Sequence, residues 1–226
     1  MINKILNIDC IEFMKQVPDN YFDLVITDPP YGLDIHSKNA SRGKLAKAND
    51  YGKCEWDKTI PSAECFKEIM RISKNQIIFG GNYFIENLKN SKCWVVWDKD
   101  NGSNDFADCE LAWTSFDTAV RLFKYRWNGM LQENMSWKEK REHPTQKPVP
   151  LGRWLLQNYA QKGDKIFDPF AGSGSFLIAC RQLGFDFIGC EISPEYCKIA
   201  NERLKQVSFA NGFDRFEKTK QRDDSL

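Results

Sequence analysis

Several features that would indicate a metal site, a secreted fold or a membrane protein are missing from this sequence. Its eight cysteines are scattered without one Cys-x-x-Cys pair, and the two histidines, His36 and His143, are too few and too isolated for a zinc site. There is no signal peptide and no long apolar run, so the cysteines are interpreted as reduced thiols of a cytoplasmic protein. No internal repeat is found.

The charge balance is also unremarkable, because a net charge of +1 does not by itself indicate a nucleic-acid partner. The basic residues are nevertheless unevenly distributed. Residues 121–147 contain seven lysines and arginines against three glutamates, and residues 38–58 contain six basic residues against three acidic ones. Either segment fits phosphate contacts or a merely solvated loop. The length of 226 residues suits one α/β domain with some insertion.

Apolar runs alternate with amphipathic segments, which predicts an α/β fold with a doubly wound, mostly parallel sheet. Strands are predicted at residues 4–8, 22–27, 76–79, 93–97, 109–113, 119–125, 165–167 and 185–190, and helices at 61–72, 83–88, 151–159, 175–183 and 194–207. The strands at 109–113 and 119–125 are predicted to pair around a turn at 116–117. Polar residues 32–59 predict a functional or disordered loop, and the charged tail is expected to fray.

The most informative local feature is Asp28-Pro29-Pro30-Tyr31, which directly follows the apolar run of residues 22–27. An acid at the carboxyl end of a buried parallel strand stands where open α/β sheets bind their ligands. The two prolines remove two backbone donors and stiffen the turn, and the tyrosine adds a flat ring. A carboxylate, a rigid carbonyl and an aromatic face together suit a planar group that carries an amine. Any one of them alone also fits an ordinary turn.

A second candidate site is the segment 168–175, Asp-Pro-Phe-Ala-Gly-Ser-Gly-Ser, which joins a predicted strand to a helix. Gly172 and Gly174 allow a tight turn and a close approach to a ligand, and the helix start offers unpaired backbone amides. Glu191 ends the next strand, where an acid can accept hydrogen bonds from a ribose diol.

A nicotinamide dinucleotide site has similar glycines and a similar acid, so it is a competing interpretation of this segment. Its third glycine falls at Leu177, where packing of helix against strand requires a small residue. Asp9 and Asp168 also stand at strand ends, and two acids suit a cationic or amine-bearing ligand better than a pyrophosphate.

With these motifs in order, the chain resembles the S-adenosylmethionine-dependent amino-group DNA methyltransferases of the permuted (beta) class, in particular the small phage- and prophage-type adenine methylases. The resemblance covers most of residues 1–205. It implies a Rossmann-like, circularly permuted class I methyltransferase fold. It rests on Asp9-Cys10, Asp28-Pro29-Pro30-Tyr31, Phe79-Gly80-Gly81-Asn82, Trp97-Asp98-Lys99, Glu110-Leu111-Ala112-Trp113, His143-Pro144-Thr145-Gln146-Lys147-Pro148 and Phe170-Ala171-Gly172-Ser173-Gly174.

The resemblance implies N6 methylation of adenine by direct in-line attack of a flipped base. The Asp28 carboxylate and the Pro29 carbonyl would accept the two hydrogens of the target amine, on a turn stiffened by Pro30, and Tyr31 would stack on the base. No covalent protein nucleophile is needed.

The resemblance also implies which residues bind S-adenosylmethionine and release S-adenosylhomocysteine. They are Asp168, Gly172 and Gly174 around the methionine portion, Glu191 on the ribose, Asp9 with Cys10 at the adenine edge, Thr145 and Lys147 near the cofactor carboxylate, and Phe170 closing the pocket.

By the same resemblance, the chain divides into a catalytic half (1–114, including the loop 33–58), a small target-recognition insert (115–142), a cofactor-binding half (143–210) and a frayed tail (211–226). The partner is double-stranded DNA, in the cytoplasm of a bacterial or phage-infected cell. A homodimer and a cognate restriction enzyme stay open, and the short insert predicts a short target. Expected phosphate contacts are Arg121, Lys124, Arg126, Lys138 and Arg141. Trp127 and Trp137 fit either the core of the recognition insert, which is favoured for each, or a wedge in the vacated base stack.

Three alternatives remain beside adenine methylation. An N4-cytosine DNA methyltransferase keeps the fold and the mechanism, although such enzymes usually carry Ser where this chain has Asp28. RNA or protein amines are further substrates, which the central insert disfavours. A DNA-binding module that has lost catalysis is disfavoured because the motif residues are intact.

Overall fold

The computed structural model describes residues 2–32, 60–102, 107–128, 131–136, 138–143 and 145–207. The predicted loop at 33–58, Trp137 and the predicted tail at 211–226 lie outside the described residues. Among the helices of the described ranges, none is both long and apolar enough to cross a membrane.

An eight-stranded sheet is the centre of the structure. The strands are β1 (Lys4–Asn7), β2 (Phe22–Thr27), β3 (Ser73–Phe79), β4 (Trp94–Asp98), β5 (Cys109–Thr114), β6 (Arg121–Lys124), β9 (Lys165–Asp168) and β10 (Asp186–Glu191), with β7 (Trp127–Asn128) and β8 (Leu131–Gln132) forming a separate small ribbon. The sheet order is β1-β10-β9-β2-β3-β5-β4-β6. Among the described strands of this sheet, β5 alone runs in the opposite direction to all the others, so the prediction of a mostly parallel sheet is confirmed.

Helices cover both faces of this sheet, as in a doubly wound fold. They are α1 (Cys10–Met14), α2 (Ala63–Ile72), α3 (Val149–Tyr159), α4 (Ser175–Leu183) and α5 (Pro194–Lys205). The apolar residues of α1 and α2 pack into one buried cluster and those of α3, α4 and α5 into the other. Successive strand residues such as Ile77 and Ile78 enter opposite clusters, because side chains alternate across a strand.

Two local predictions are wrong. Residues 83–88 form no α-helix; two short 3-10 turns, Gly81–Tyr83 and Ile85–Asn87, are separated by Phe84, whose side chain is buried and whose φ of −122° is not helical. Strands β5 and β6 do not pair, because β4 lies between them. Their connection packs over the start of β4, where Phe116 contacts Tyr159 of α3 at a ring distance of 4.9 Å.

The first strand and the last helix of the described chain lie together at one edge of the sheet. Asn201 of α5 donates to the Ile5 carbonyl of β1 (2.9 Å) and accepts from the Ile5 amide (3.2 Å). One side chain therefore satisfies both backbone groups of Ile5 at the open edge of β1.

Candidate active site

The carboxyl ends of adjacent strands bring the two predicted motifs together. Strand β2 pairs with β9, with Val25 opposite Phe167. Thr27 and Asp168, the last residues of these two strands, meet directly, since the Thr27 hydroxyl donates to Asp168 Oδ1 at 2.8 Å. The Asp-Pro-Pro-Tyr turn that follows β2 and the glycine loop that follows β9 thus lie side by side.

Asp28 is held by its own turn. The chain folds back after the two prolines so that the Tyr31 hydroxyl donates to Asp28 Oδ1 at 2.5 Å. Burial raises the pKa of the Asp28 carboxyl, and the neighbouring Lys147 ammonium opposes that rise. Burial and the Asp28 charge hold the pKa of the Tyr31 hydroxyl well above its ordinary value, so Tyr31 is a hydrogen-bond donor at neutral pH.

Lys147 lies in an unexpected place. Its side chain is 6% exposed, and its ammonium donates to Asp28 Oδ2 and lies 2.9 Å from Glu110 Oε2. Lys99 pairs with the other oxygen of Glu110 at 2.5 Å. We call these four alternating charges, Lys99, Glu110, Lys147 and Asp28, the charge chain. The expected role of Lys147 at the cofactor carboxylate stays a prediction, because in this structure its ammonium contacts the two carboxylates.

The pKa values of Lys147 and Glu110 both shift toward the charged form. Burial lowers the pKa of Lys147, but Asp28 and Glu110 outweigh it and raise the pKa overall. Burial likewise raises the pKa of Glu110, but Lys147 and Lys99 reverse this and lower it to about 2. Lys147 and Glu110 are therefore charged at neutral pH.

The Tyr31 ring is enclosed by an aromatic residue and a glycine. Tyr83, which is 45% exposed, stacks on it with centroids 4.9 Å apart and an interplanar angle of 17°. Gly80, with φ of +68°, lies so close that a Cβ there would come within 2.2 Å of Tyr31 Cε1. Glycine is thus required at residue 80 both by its backbone and by this ring.

Sequence reasoning missed Glu110, Lys99 and Tyr83 as site residues, although two of them occur in motifs quoted for the family resemblance. A signal for Glu110 was available, because it is an acid within an apolar strand and such a charge is rarely buried without a partner. Nothing in the sequence indicated that its partner is Lys147.

The glycine loop after β9 has the expected backbone. Gly172 and Gly174 have φ of +52° and +81°. Glu191 accepts hydrogen bonds from the Gly172 and Ser193 amides, both at 2.8 Å, so its carboxylate ties the loop to the end of β10. Phe170 is half-buried beside the loop. Among the described residues, the atom nearest to a Cβ at Gly172 is His143 Cδ2 at 3.9 Å, so none of them crowds this backbone.

Leu177 packs against a glycine of the neighbouring strand, which leaves room for its large side chain. A Cβ at Gly189 of β10 would lie 2.4 Å from Leu177 Cδ1. The close approach of helix to strand is therefore obtained with a glycine in the strand, rather than with the helix glycine of a nicotinamide-type motif.

Asp168, the last residue of β9, has a carboxyl whose pKa is shifted by burial. It is 2% exposed and accepts from the Thr27 hydroxyl and from the Phe170 amide (3.1 Å). Burial outweighs these bonds and raises its pKa to about 7. A carboxyl with such a pKa at the mouth of a site can respond to a cationic ligand by losing its proton.

The remaining predicted cofactor residues lie around the same edge of the sheet. Asp9 is the N-cap of α1 and accepts from the Ile11 amide at 2.8 Å, and Cys10 is buried in that helix. Thr145 is hydrogen-bonded to His143 Nδ1 (3.1 Å between Oγ1 and Nδ1). Their contacts with a cofactor stay predictions.

A buried polar network holds the segment before α3 against the glycine loop. Gln146 accepts from the Ser173 hydroxyl (3.1 Å) and donates to Glu139 (2.9 Å). Arg203 of α5 donates to Glu139 (2.7 Å) and to the Ser173 carbonyl (2.5 Å). Because Lys147 follows Gln146, this network also positions the charge chain.

The five predicted phosphate contacts are placed unequally. Arg121 and Lys138 are exposed. Lys124 and Arg126 both pair with Asp100, Lys124 at 2.8 Å. Arg141 lies over the ring of Trp127, 5.0 Å from its centroid.

Trp127 is 4% exposed and belongs to the core, as predicted. Strand β6 is part of the large sheet, so the predicted insert of residues 115–142 begins within the sheet.

Comparisons with known proteins support the family resemblance and the fold. Residues 66–202 match the DNA methylase (N6_N4_Mtase) family. The Type II methyltransferase M.HpaI of Haemophilus parainfluenzae is 30% identical over 95% of this chain and 77% of its own length. The Type II methyltransferase M.HinfI of Haemophilus influenzae is 29% identical over 91% of this chain and 69% of its own. The crystal structure of the M1.HpyAVI–SAM complex has the same fold, with a TM-score of 0.57, 23% identity, and coverage of 89% of this chain and 98% of that one.

Proposed function

The chain belongs to the N6/N4 DNA methylase family, and we propose that it methylates the N6 amino group of adenine in double-stranded DNA. It is a DNA methyltransferase that uses S-adenosylmethionine, which supplies an electrophilic methyl group on its sulfonium sulfur. The observation that carries the proposal is the buried Asp28 carboxylate at the end of β2, one strand away from the glycine loop.

Asp28 and the Pro29 carbonyl would accept the two hydrogens of the target amine. The lone pair of an exocyclic amine is delocalised into the ring, so the nitrogen is a weak nucleophile. Two acceptors draw it toward tetrahedral geometry and stabilise the positive charge that it gains. The stiff turn with two prolines holds these acceptors in place before the base arrives, which reduces the ordering needed for reaction.

The residues after β9 and β10 fit the cofactor. The Glu191 carboxylate accepts one backbone amide on each oxygen and retains lone pairs for a ribose diol. Asp168 offers an acid for the methionine portion, and no side chain of the described residues crowds the backbone at Gly172. Asp9 with Cys10, Thr145 and Phe170 complete the proposed pocket.

The base must leave the duplex to reach Asp28, because an amine inside the helix is not accessible to two protein acceptors. Tyr31 would stack on the extruded adenine. We assign target recognition to residues 115–142, with the exposed Arg121 and Lys138 at phosphates. Lys124 and Arg126 are ion-paired with Asp100, so they would have to loosen these pairs to contact phosphates.

Methylation of cytosine at N4 is the second candidate, because the matching family includes both N6 and N4 enzymes. The same two acceptors can activate either amine. We favour adenine because Asp28 stands where N4-cytosine enzymes usually carry serine.

Nucleoside mass spectrometry tests the proposal directly. Unmethylated duplex DNA is incubated with S-adenosylmethionine and the wild-type protein, Asp28→Asn or, as a control, Asp108→Asn at an exposed site. N6-methyladenine from wild type and the control, with a loss of about a thousandfold in Asp28→Asn, is the expected result. N4-methylcytosine instead would overturn the assignment of the base. Equal product from Asp28→Asn would overturn the assigned role of Asp28.

A further inference from the structure

The charge chain joins three separate parts of the fold at Asp28. Lys99 directly follows β4, Glu110 lies in β5, and Lys147 precedes α3. The side chains of Lys99, Glu110 and Lys147 are 17%, 20% and 6% exposed, and that of Asp28 is 15% exposed. Charges this far removed from water remain only when they are paired, so each member constrains its neighbours.

The position of Lys147 conflicts with the proposed role of Asp28 unless Lys147 can move. One oxygen of Asp28 already accepts from Tyr31 and the other from Lys147. The target amine becomes cationic during transfer, and an ammonium beside the same carboxylate oxygen would repel it. The acceptor is therefore partly blocked in this structure.

Glu110 provides the place to which Lys147 can shift. Its Oε2 atom lies 2.9 Å from the Lys147 ammonium. Among the described residues, this buried oxygen has no other donor as a partner. An acceptor that is buried, in reach and shared with no other donor allows a small rotation of the lysine to exchange one carboxylate for the other. Lys99 holds the opposite oxygen of Glu110 at 2.5 Å and so fixes its orientation.

We propose that Glu110 is a positioning residue that draws the Lys147 ammonium away from Asp28 when the target amine binds. The inference rests on the proposed function, since it concerns the same carboxylate. In the free protein Lys147 donates to Asp28 and favours its ionised form against the effect of burial. As the amine takes up the freed oxygen of Asp28, Lys147 shifts to Glu110, so that the ammonium keeps a carboxylate partner.

The test compares Glu110→Gln with wild type in single-turnover methylation of duplex DNA. The amide keeps the shape of Glu110 but leaves Lys147 with Asp28 as its only carboxylate. We expect the single-turnover rate to fall by about 10- to 100-fold, while the dissociation constant for S-adenosylmethionine changes less than about twofold. Asp108→Asn removes an exposed charge near the start of the same strand and should leave the rate unchanged.

A double variant separates this role from a structural one. In Lys147→Gln there is no ammonium to move, so adding Glu110→Gln should cause no further loss of rate. Multiplying losses would overturn the inference. Glu110→Asp retains the charge and should recover part of the activity. If circular dichroism shows that Glu110→Gln does not fold, the same double-mutant comparison is made with Glu110→Asp and Lys147→Gln.

The pH profile gives a further readout. The charged and titratable groups around Asp28 are Tyr31 from its own turn, Glu110, Lys147 and, from β9, Asp168. The negative charge of Glu110 raises the pKa of Asp28, so its removal lowers that pKa.

The acid limb of the single-turnover rate should therefore move to lower pH in Glu110→Gln. An unmoved limb with a wild-type rate would overturn the inference. If wild type itself methylates no DNA, the proposed function fails instead.

Discussion

Replacing Gly80 with alanine should have two effects, backbone strain and displacement of the Tyr31 ring, which a control variant can separate. Gly80 has φ of +68°, where an alanine costs about 1–2 kcal/mol. The new Cβ would also lie 2.2 Å from Tyr31 Cε1 and 2.7 Å from Cδ1 and Cζ. To reach the shortest ordinary contact of 3.4 Å, the ring must move by about 1.2 Å.

The Tyr31 ring cannot move without disturbing Asp28. Tyr83 stacks on one of its faces at 4.9 Å, and its hydroxyl is bonded to Asp28. A displacement of about 1 Å in a reacting geometry costs about 100-fold in rate. We therefore expect Gly80→Ala to lower the single-turnover methylation rate by about 100-fold and the melting temperature by about 2–4 °C per kcal/mol of strain.

Gly102 provides a matched control, since its φ is +66° and no atom of the described residues lies within 4 Å of a Cβ placed there. Gly102→Ala should lose about 1–2 kcal/mol of stability, because it suffers the same backbone strain, and should keep its activity. In a Tyr31→Ala background, the stability cost of Gly80→Ala should fall to that of Gly102→Ala. A Gly80→Ala protein with the wild-type rate would refute the reasoning, because the ring then does not need the position that it has here.

Three further outcomes follow from other parts of the site. Asp168 has a folded-state pKa of about 7, above its ordinary value, so its contribution to stability is fully present below pH 3.8 and is lost as the pH rises through 7. Asp168→Asn should abolish that loss. The measurement is the free energy of unfolding in urea at pH 5 and at pH 7.5, and an equal change between the two pH values in both proteins would contradict the assignment. Arg203→Met leaves Glu139 buried without its cation and should cost about 3 kcal/mol in the same assay, while Arg203→Lys should recover part of this. Tyr83→Leu should lower the single-turnover rate more than Tyr83→Phe, because stacking on Tyr31 needs a ring but not a hydroxyl; equal rates for the two would exclude stacking as the reason.

The sequence by itself determined the class of fold, the two motifs and most elements. Those features are local. Apolar runs and turns specify strands and helices over a few residues, and Asp28-Pro29-Pro30-Tyr31 and the glycine loop are read directly from adjacent letters. The predicted helix at 83–88 failed even at this level, because burial of Phe84 broke it into two turns.

Strand order was not determined locally. The strands at 109–113 and 119–125 looked like a hairpin because only a few residues separate them, yet β4 lies between their structural counterparts β5 and β6. The connection between β5 and β6 makes long-range contacts instead, as where Phe116 contacts Tyr159, which is far away in the sequence. Such contacts carry no signal in a local pattern.

The charge chain was decided entirely by tertiary structure. In the sequence Lys147 looks like an ordinary surface cation. Lys99 follows β4 and Glu110 lies in β5, and the sequence does not specify how these strands are arranged. The sheet brings the ends of β2, β4 and β5 together with the segment before α3, which shields these four side chains from water and places each within reach of the next. Burial then makes the pairing obligatory, because a lone charge in that position would be far too costly.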